Sequence, residues 1–214
     1  MSMVLRQQLI DTAAAMNASG INQGTSGNLS VRFDGGFLIT PSSVNYSEMA
    51  PEDIVAINLN GEWKGANKPS SEWRFHCDIY RQREDAQAIL HAHPVFCTTL
   101  ACMGRSIPAF HYMVAVAGGR NIRCADYATF GTQELSNHVL TALTGRKACL
   151  MANHGLVCLE IELPQALALA VEIEHLAQVY HRCLTVGDPV ILDDQEMESV
   201  LKKFKTYGKR ENLG

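Results

Sequence analysis

The sequence predicts an α/β fold: a mixed, mostly antiparallel sheet covered by helices. Three observations lead there. Hairpin signals are interspersed with helical patterns instead of alternating in a strict strand–helix–strand series. No GxGxxG follows the first strand, so a dinucleotide-binding arrangement is unsupported. The 214 residues show no internal repeat, linker or low-complexity tract, so a single domain over 1–214 is expected.

The elements follow in order. Apolar residues at Leu5, Leu9, Ala13 and Met16 recur at helical spacing over Val4–Ser19, and Gly20 suits the helix end. Leu29–Phe33 and Phe37–Thr40 flank Asp34-Gly35, a tight-hairpin signal. A second hairpin is expected in IVAINLNGEWKG, turning on Asn60-Gly61. The segment PSSEWRFHCDIYRQRE reads as a helix capped by Ser70 or Ser71. AILHAHP reads as a short buried strand ended by Pro94, followed by a short helix over Val95–Met103. From Arg105 to Gly131 the chain reads as irregular. Thr132 then caps a helix to Leu143 that closes at Gly145. ACLMANHGLVCLE predicts two strands joined at Asn153-His154-Gly155, with the glycine supplying backbone freedom. Pro164 begins a long helix ending near Gly187. Asp193 and Glu196 form a capping-box-like pair before a last helix to about Lys205.

Composition narrows the function classes. A net charge of −4 and a pI near 6.0 oppose non-specific nucleic-acid binding, which needs a basic face. No apolar run approaches the ~20 residues that span a bilayer, and the N-terminus lacks the apolar core of a signal peptide. A cytoplasmic protein without nucleic-acid or membrane partners is expected. The seven cysteines are odd in number and contain no CxxC pair, which reads as free, mostly buried thiols.

Three of the eight histidines stand out. His91 and His93 are two apart in a strand, so their side chains share a face. Paired imidazoles at the end of a buried strand are costly unless their lone pairs are used, and a divalent metal uses them. An isolated HxH is also compatible with incidental packing. His154, at a tight turn, is the third candidate. Three His ligands leave an open position on zinc, the pattern of catalytic sites. His76, His138, His175 and His181 fall on predicted helices and are assigned to packing or surface. Glu72 lies in the first turn of its helix; its carboxylate serves capping electrostatics or, beside a metal, alternates between ligand and acid/base. Thr25-Ser26-Gly27-Asn28, Ser42-Ser43 and Ser70-Ser71 offer loop hydroxyls and amides of the kind that hold a phosphate, provided they converge.

The motifs GTSGNLSVR, TPSS, KPSSEWRFH, HAHP, the IPAFHYM…YATFG stretch, NHGLV and FKTYGKR resemble the class II aldolase/adducin-head family, over about Gln7 to Arg210. The resemblance implies a three-layer α/β/α domain assembled as a homotetramer with active sites between subunits. It implies one Zn2+ per subunit (Mn2+ or Co2+ in its place) held by Glu72, His91, His93 and His154, with Glu72 also acting as acid/base. It implies a substrate phosphate against Asn28, Ser42, Ser43, Ser70 and Ser71. Tyr112 corresponds to a tyrosine that handles the aldehyde-side proton, and Phe130 and Tyr207 to residues lining the aldehyde pocket. The tail at about 207–214 would contact a neighbouring subunit. The pattern departs from a family relative at Ser42-Ser43, Ala92, Pro94 and Asn153.

The implied activity is zinc-dependent cleavage of a deoxyketose 1-phosphate resembling L-fuculose 1-phosphate, giving dihydroxyacetone phosphate and a small aldehyde such as L-lactaldehyde. The alternative substrates are 5-deoxyribulose 1-phosphate and 5-methylthioribulose 1-phosphate. Epimerase, dehydratase and decarboxylase activities occur in the same family, as do non-catalytic adducin-like heads. A Schiff-base mechanism would need an activated lysine, and Lys147 is the one near a buried strand.

Overall fold

The computed structural model describes residues 2–206. The strands are β1 (Asn28–Phe33), β2 (Gly36–Ile39), β3 (Val55–Asn58), β4 (Ala88–Ala92), β5 (Arg123–Ala125), β6 (Ala148–Met151) and β7 (Gly155–Glu160). They form one open sheet in the order β3-β2-β1-β4-β7-β6-β5. Every neighbouring pair is antiparallel except β5–β6. The helices are α1 (Ser2–Ala18), α2 (Trp73–Gln82), α3 (Val95–Cys102), α4 (Gln133–Ala142), α5 (Leu163–Val186) and α6 (Asp194–Thr206).

Strand alternation divides the core in two. Leu29, Val31, Ala88, Leu90, Leu150 and Cys158 face one side, where α1, α3, α5 and α6 supply Leu9, Leu100, Ile173 and Met197. Phe37, Ile89, Cys149, Val157 and Leu159 face the other, against Phe75, Ile79, Leu135 and Val139 of α2 and α4. These layers form the expected α/β/α arrangement. The period-2 alternation of side chains thus decides that His91, two residues beyond Ile89, points toward α2.

Most expected elements are present, and the differences have physical causes. Asp34 and Gly35 both have positive φ, 48° and 72°, as a two-residue hairpin turn of this twist requires. The hairpin at Asn60-Gly61 contributes only β3 and one isolated bridge, Ile57 to Trp63. The return segment carries Gly65 and Pro69, which do not sustain strand pairing. The region read as irregular contains β5 and a 3-10 segment, Tyr112–Ala117. Three residues are too short for a periodic signal. Neither Ser70 nor Ser71 is the N-cap of α2; Glu72 is. Ser70 is tied instead to the end of β2, its N–H donating to the Thr40 carbonyl at 3.0 Å. Among the cysteines, Cys77, Cys97, Cys149 and Cys158 are buried and free, while Cys102 is exposed. No helix of the described residues is long and apolar enough to cross a membrane.

Gly155 is needed for a different reason from the expected one. The left-handed residue of the β6–β7 turn is Asn153, at φ 54°. A Cβ on Gly155 would lie 2.5 Å from the Ala92 carbonyl oxygen and 2.7 Å from a ring carbon of His93. The glycine therefore lets β7 close on the end of β4. Gly155→Ala should lower stability by about 1–3 kcal/mol, the usual range for overpacking, measured by denaturant unfolding, and should displace the His93 ring.

Candidate metal centre and active site

Four elements converge at one end of the sheet. Glu72 stands at the start of α2, His91 near the end of β4, His93 just beyond it, and His154 in the β6–β7 turn. One ligand atom from each lies within 4.8 Å of every other. Glu72 is 5% exposed and His91 fully buried.

The polarity of the cluster follows from one hydrogen bond. His91 Nδ1 lies 2.8 Å from the Leu156 carbonyl oxygen, which can only accept, so Nδ1 carries the proton. In the neutral ring Nε2 then bears the lone pair. That nitrogen faces Glu72 Oε2 at 3.0 Å and His93 Nε2 at 2.9 Å. Glu72 Oε1 is buried without a hydrogen bond; His154 Nε2 is 3.1 Å away but not aligned as a donor. Electron-rich atoms that converge this way, with an unpartnered buried carboxylate oxygen among them, fit a divalent cation. The carbonyl behind His91 is the orienting outer contact that metal-binding histidines use.

The same crowding sets the protonation states of the metal-free centre. Burial alone would raise the Glu72 carboxyl, but the His91 and His154 imidazoles beside it hold it well below the usual carboxylate range. Burial opposes a charge on His91, and Glu72 overrides this and raises its pKa. His93 is pushed down to about 3 by burial and then by its imidazole neighbours.

The cluster opens on a cavity of about 410 Å³. Asn28, Ser42, Ser43, Ser70 and Ser71 line it together with Glu72, His93, His154 and Phe130. The three polar loop segments noted in the sequence therefore do converge. Tyr127, not singled out from sequence, also lines it, as does Asn153, noted there at the turn and as a departure from a family relative. Ser70 is partly committed, its Oγ accepting from the Glu72 N–H at 3.3 Å. Phe130 and Tyr127 are 63% and 60% exposed and form an aromatic rim.

One expected site residue is not brought here by its own chain. Tyr112 lines a separate cleft with Phe110, Leu192 and Phe204, and is 51% exposed. Its 3-10 segment packs against α5 and α6, away from the end of β4. Tyr207 lies outside the described residues. Lys147 pairs with Glu160 at 2.6 Å and is not among the residues lining the cavity, which disfavours a Schiff base.

His76 is the residue the sequence reading assigned elsewhere. It is fully buried, with Nε2 at 2.6 Å from Asn28 Oδ1 and Nδ1 at 2.7 Å from Ser30 Oγ. Its spacing from Glu72, one helical turn, is the signal that could have placed it on the same face.

The fold and this centre define an α/β protein with a candidate divalent-metal site at one end of its sheet. The sequence model described as Class II Aldolase and Adducin N-terminal domain matches residues 7–181, and the chain belongs to that family of class II aldolases. A 5-methylthioribulose-1-phosphate/5-deoxyribulose-1-phosphate aldolase of Rhodospirillum rubrum is 56% identical over 209 residues, covering 98% of this chain and 95% of the relative. An L-fuculose phosphate aldolase of Escherichia coli is 52% identical over 207 residues, 96% of each chain. A solved structure of an L-fuculose 1-phosphate aldolase superposes with a TM-score of 0.90 at 42% identity, covering 94% of this chain and 95% of that one.

The depressed imidazoles make a pH prediction. The folded pKa values of His76 and His93, about 3, lie below the ordinary 6.5. The folded state therefore binds fewer protons than the unfolded one between those limits, so stability is present above pH 6.5 and is lost on acidification. Denaturant midpoints of the chelator-treated protein should fall from pH 6.5 toward 3, and a flat profile would contradict the burial of these rings.

Proposed function

We propose that this chain cleaves the C3–C4 bond of a deoxyketose 1-phosphate to dihydroxyacetone phosphate and a small aldehyde. The observation that carries the reading is the Glu72, His91, His93 and His154 cluster opening on a cavity with a polar wall and an aromatic rim. The proposed ligand set is these four residues, and the proposed metal is Zn2+, with Mn2+ or Co2+ as replacements. When bound, the ion supplies Lewis-acid polarisation of the ketone and charge to offset that developing on substrate oxygens.

The chain's own residues do the rest. Asn28, Ser42, Ser43, Ser70 and Ser71 hold the phosphate through amide and hydroxyl donors, which requires no basic patch. Glu72, after taking up a proton from solvent through the open cavity that it lines, delivers it to C3 once the aldehyde has left. Tyr112 takes the C4 hydroxyl proton. Because Tyr112 faces another cleft of its own chain, this role requires delivery from a neighbouring copy, in keeping with a homotetramer whose sites lie between subunits. Tyr207 would reach the pocket in the same way. Phe130 covers the apolar tail of the aldehyde. A cytoplasmic enzyme on phosphorylated ketoses is the corresponding cellular reading.

The aromatic rim supports a short apolar tail but is compatible with more than one. The relatives named for 5-methylthioribulose and 5-deoxyribulose 1-phosphates and those named for L-fuculose phosphate have similar identities to this chain. The three ketose 1-phosphates should all be cleaved, and kcat/KM measured side by side ranks them. Formation of an isomer, a dehydrated ketone or carbon dioxide in place of triose phosphate and aldehyde would reject the reading.

The metal centre has its own test. Purified protein should carry about one divalent ion per chain, and His91→Ala and His154→Ala should lose it. Their kcat/KM should fall by more than about 100-fold, beyond the usual cost of outer-contact changes. Glu72→Gln should retain part of the metal yet lose exchange of the C3 hydrogen of dihydroxyacetone phosphate with solvent. Exchange at the wild-type rate would move the acid/base to another group.

A further inference from the structure

Beneath the metal centre a single file of polar side chains runs between α2 and β1. Glu72 Oε2 is 3.0 Å from Asn28 Nδ2, and Asn28 Oδ1 is 2.6 Å from His76 Nε2. His76 Nδ1 is 2.7 Å from Ser30 Oγ, and Ser30 Oγ is 2.9 Å from the Tyr80 hydroxyl. All five residues are less than 9% exposed, and His76 and Ser30 are fully buried.

The file exists because two periods match. Glu72, His76 and Tyr80 are spaced by four along a helix, a rise of ~6 Å per step. Asn28 and Ser30 are spaced by two along a strand, a rise of ~6.6 Å. The two rows interdigitate, so each strand residue sits between successive helix residues.

Its hydrogen bonds have one consistent direction. The ionised Glu72 carboxylate can only accept, so Asn28 turns its NH2 toward Glu72 and its carbonyl oxygen toward His76. That oxygen can only accept, so His76 carries its proton on Nε2. Nδ1 of the neutral ring then accepts from Ser30, and Ser30 accepts from Tyr80. The file ends there: Tyr80 is buried and its ring is covered by the Arg32 guanidinium at 4.8 Å. No further side-chain hydrogen bond continues it beyond Tyr80 among the described residues, so its role is to orient groups.

We propose that His76 is a positioning residue that locks the Asn28 amide with its NH2 toward Glu72 and the cavity. Without the His76 donor, a flip of the amide would set its carbonyl oxygen against the Glu72 carboxylate. With it, Asn28 offers one N–H to Glu72 and keeps a second to offer an acceptor oxygen of a ligand in the cavity it lines. The lock also holds when Glu72 changes protonation, because the far end of the file is unaffected. The kinetic consequence rests on the aldolase reading above; the tautomer does not.

Two measurements on the full-length metal-bound protein test this separately. Long-range proton–nitrogen spectra of protein labelled in histidine, with the His76 signal assigned by its loss in His76→Gln, should show the Nε2–H tautomer at neutral pH. An Nδ1–H or doubly protonated ring would overturn the proposal, whatever the substrate proves to be. In kinetics, His76→Phe should lower kcat by about 10- to 100-fold, the usual cost of removing an orienting contact, and raise KM as Asn28 ceases to offer its N–H to the ligand, with metal content changed far less. His76→Gln, whose amide NH2 can reproduce the Nε2–H donor, should restore most of kcat. A His76→Phe enzyme with wild-type kcat, or a Gln variant no better than Phe, would overturn it. Should the Phe variant fail to fold, Ser30→Ala takes its place: removing the donor to Nδ1 frees the ring to change tautomer and should lower kcat in the same sense. Unchanged kcat in Ser30→Ala together with the Nδ1–H tautomer would count against the lock. Absence of cleavage by wild-type enzyme rejects the aldolase reading and leaves the tautomer measurement to decide the proposal.

Discussion

The buried carboxylate of Glu72 is the constraint around which this end of the molecule is organised. A charge at 5% exposure is costly unless it is paired and hydrogen-bonded. Here the partners come from three places in the sheet: the end of β4, the turn after β6, and the first residue of β1. Asn28, His91 and His154 are the polar groups that these segments bring to Glu72. A carboxylate held this way is also a chemical resource. It is ionised, nearly enclosed and in contact with the imidazoles of His91 and His154.

The scaffold for this arrangement is the face of the sheet toward α2 and α4. On the opposite face the strands contribute a broad apolar surface to a large core. Toward α2, the apolar cluster is interrupted by the row Asn28, Ser30 and His91. Interrupting one core and sparing the other lets the domain keep its stability while carrying a polar seam. The seam tolerates burial because each of its members from Glu72 to Tyr80 has a hydrogen-bond partner within it.

How much of this was legible from sequence depends on the range of each signal. His91 and His93 were readable because a strand's period of two places them on one face. The paired serines and the Asn28 loop were readable as donors, yet their convergence depends on strand order, which no local pattern encodes. The role of Ser70 in tying its loop to β2, instead of capping α2, is likewise a long-range contact. His76 looked like a packing residue because its partners, Asn28 and Ser30, lie 48 and 46 residues away. The spacing Glu72–His76–Tyr80 was visible, and so was Asn28–Ser30. What was hidden was that the two rows face each other. The short β5 was missed for another reason: three residues display no period, and its pairing with β6 is made by the rest of the sheet.

The division between a buried centre and an exposed rim bears on how substrates are told apart. The centre is set in strand ends and a helix start, where a change in one side chain disturbs several buried partners. Phe130 and Tyr127 lie on a loop and are more than half exposed. Residues so placed can change with little cost to stability. Relatives that carry the names of different ketose phosphate substrates, and share about half their residues with this chain, are what such a division allows. The rim can then vary while Glu72, His91 and the file beneath them remain under the constraint of burial.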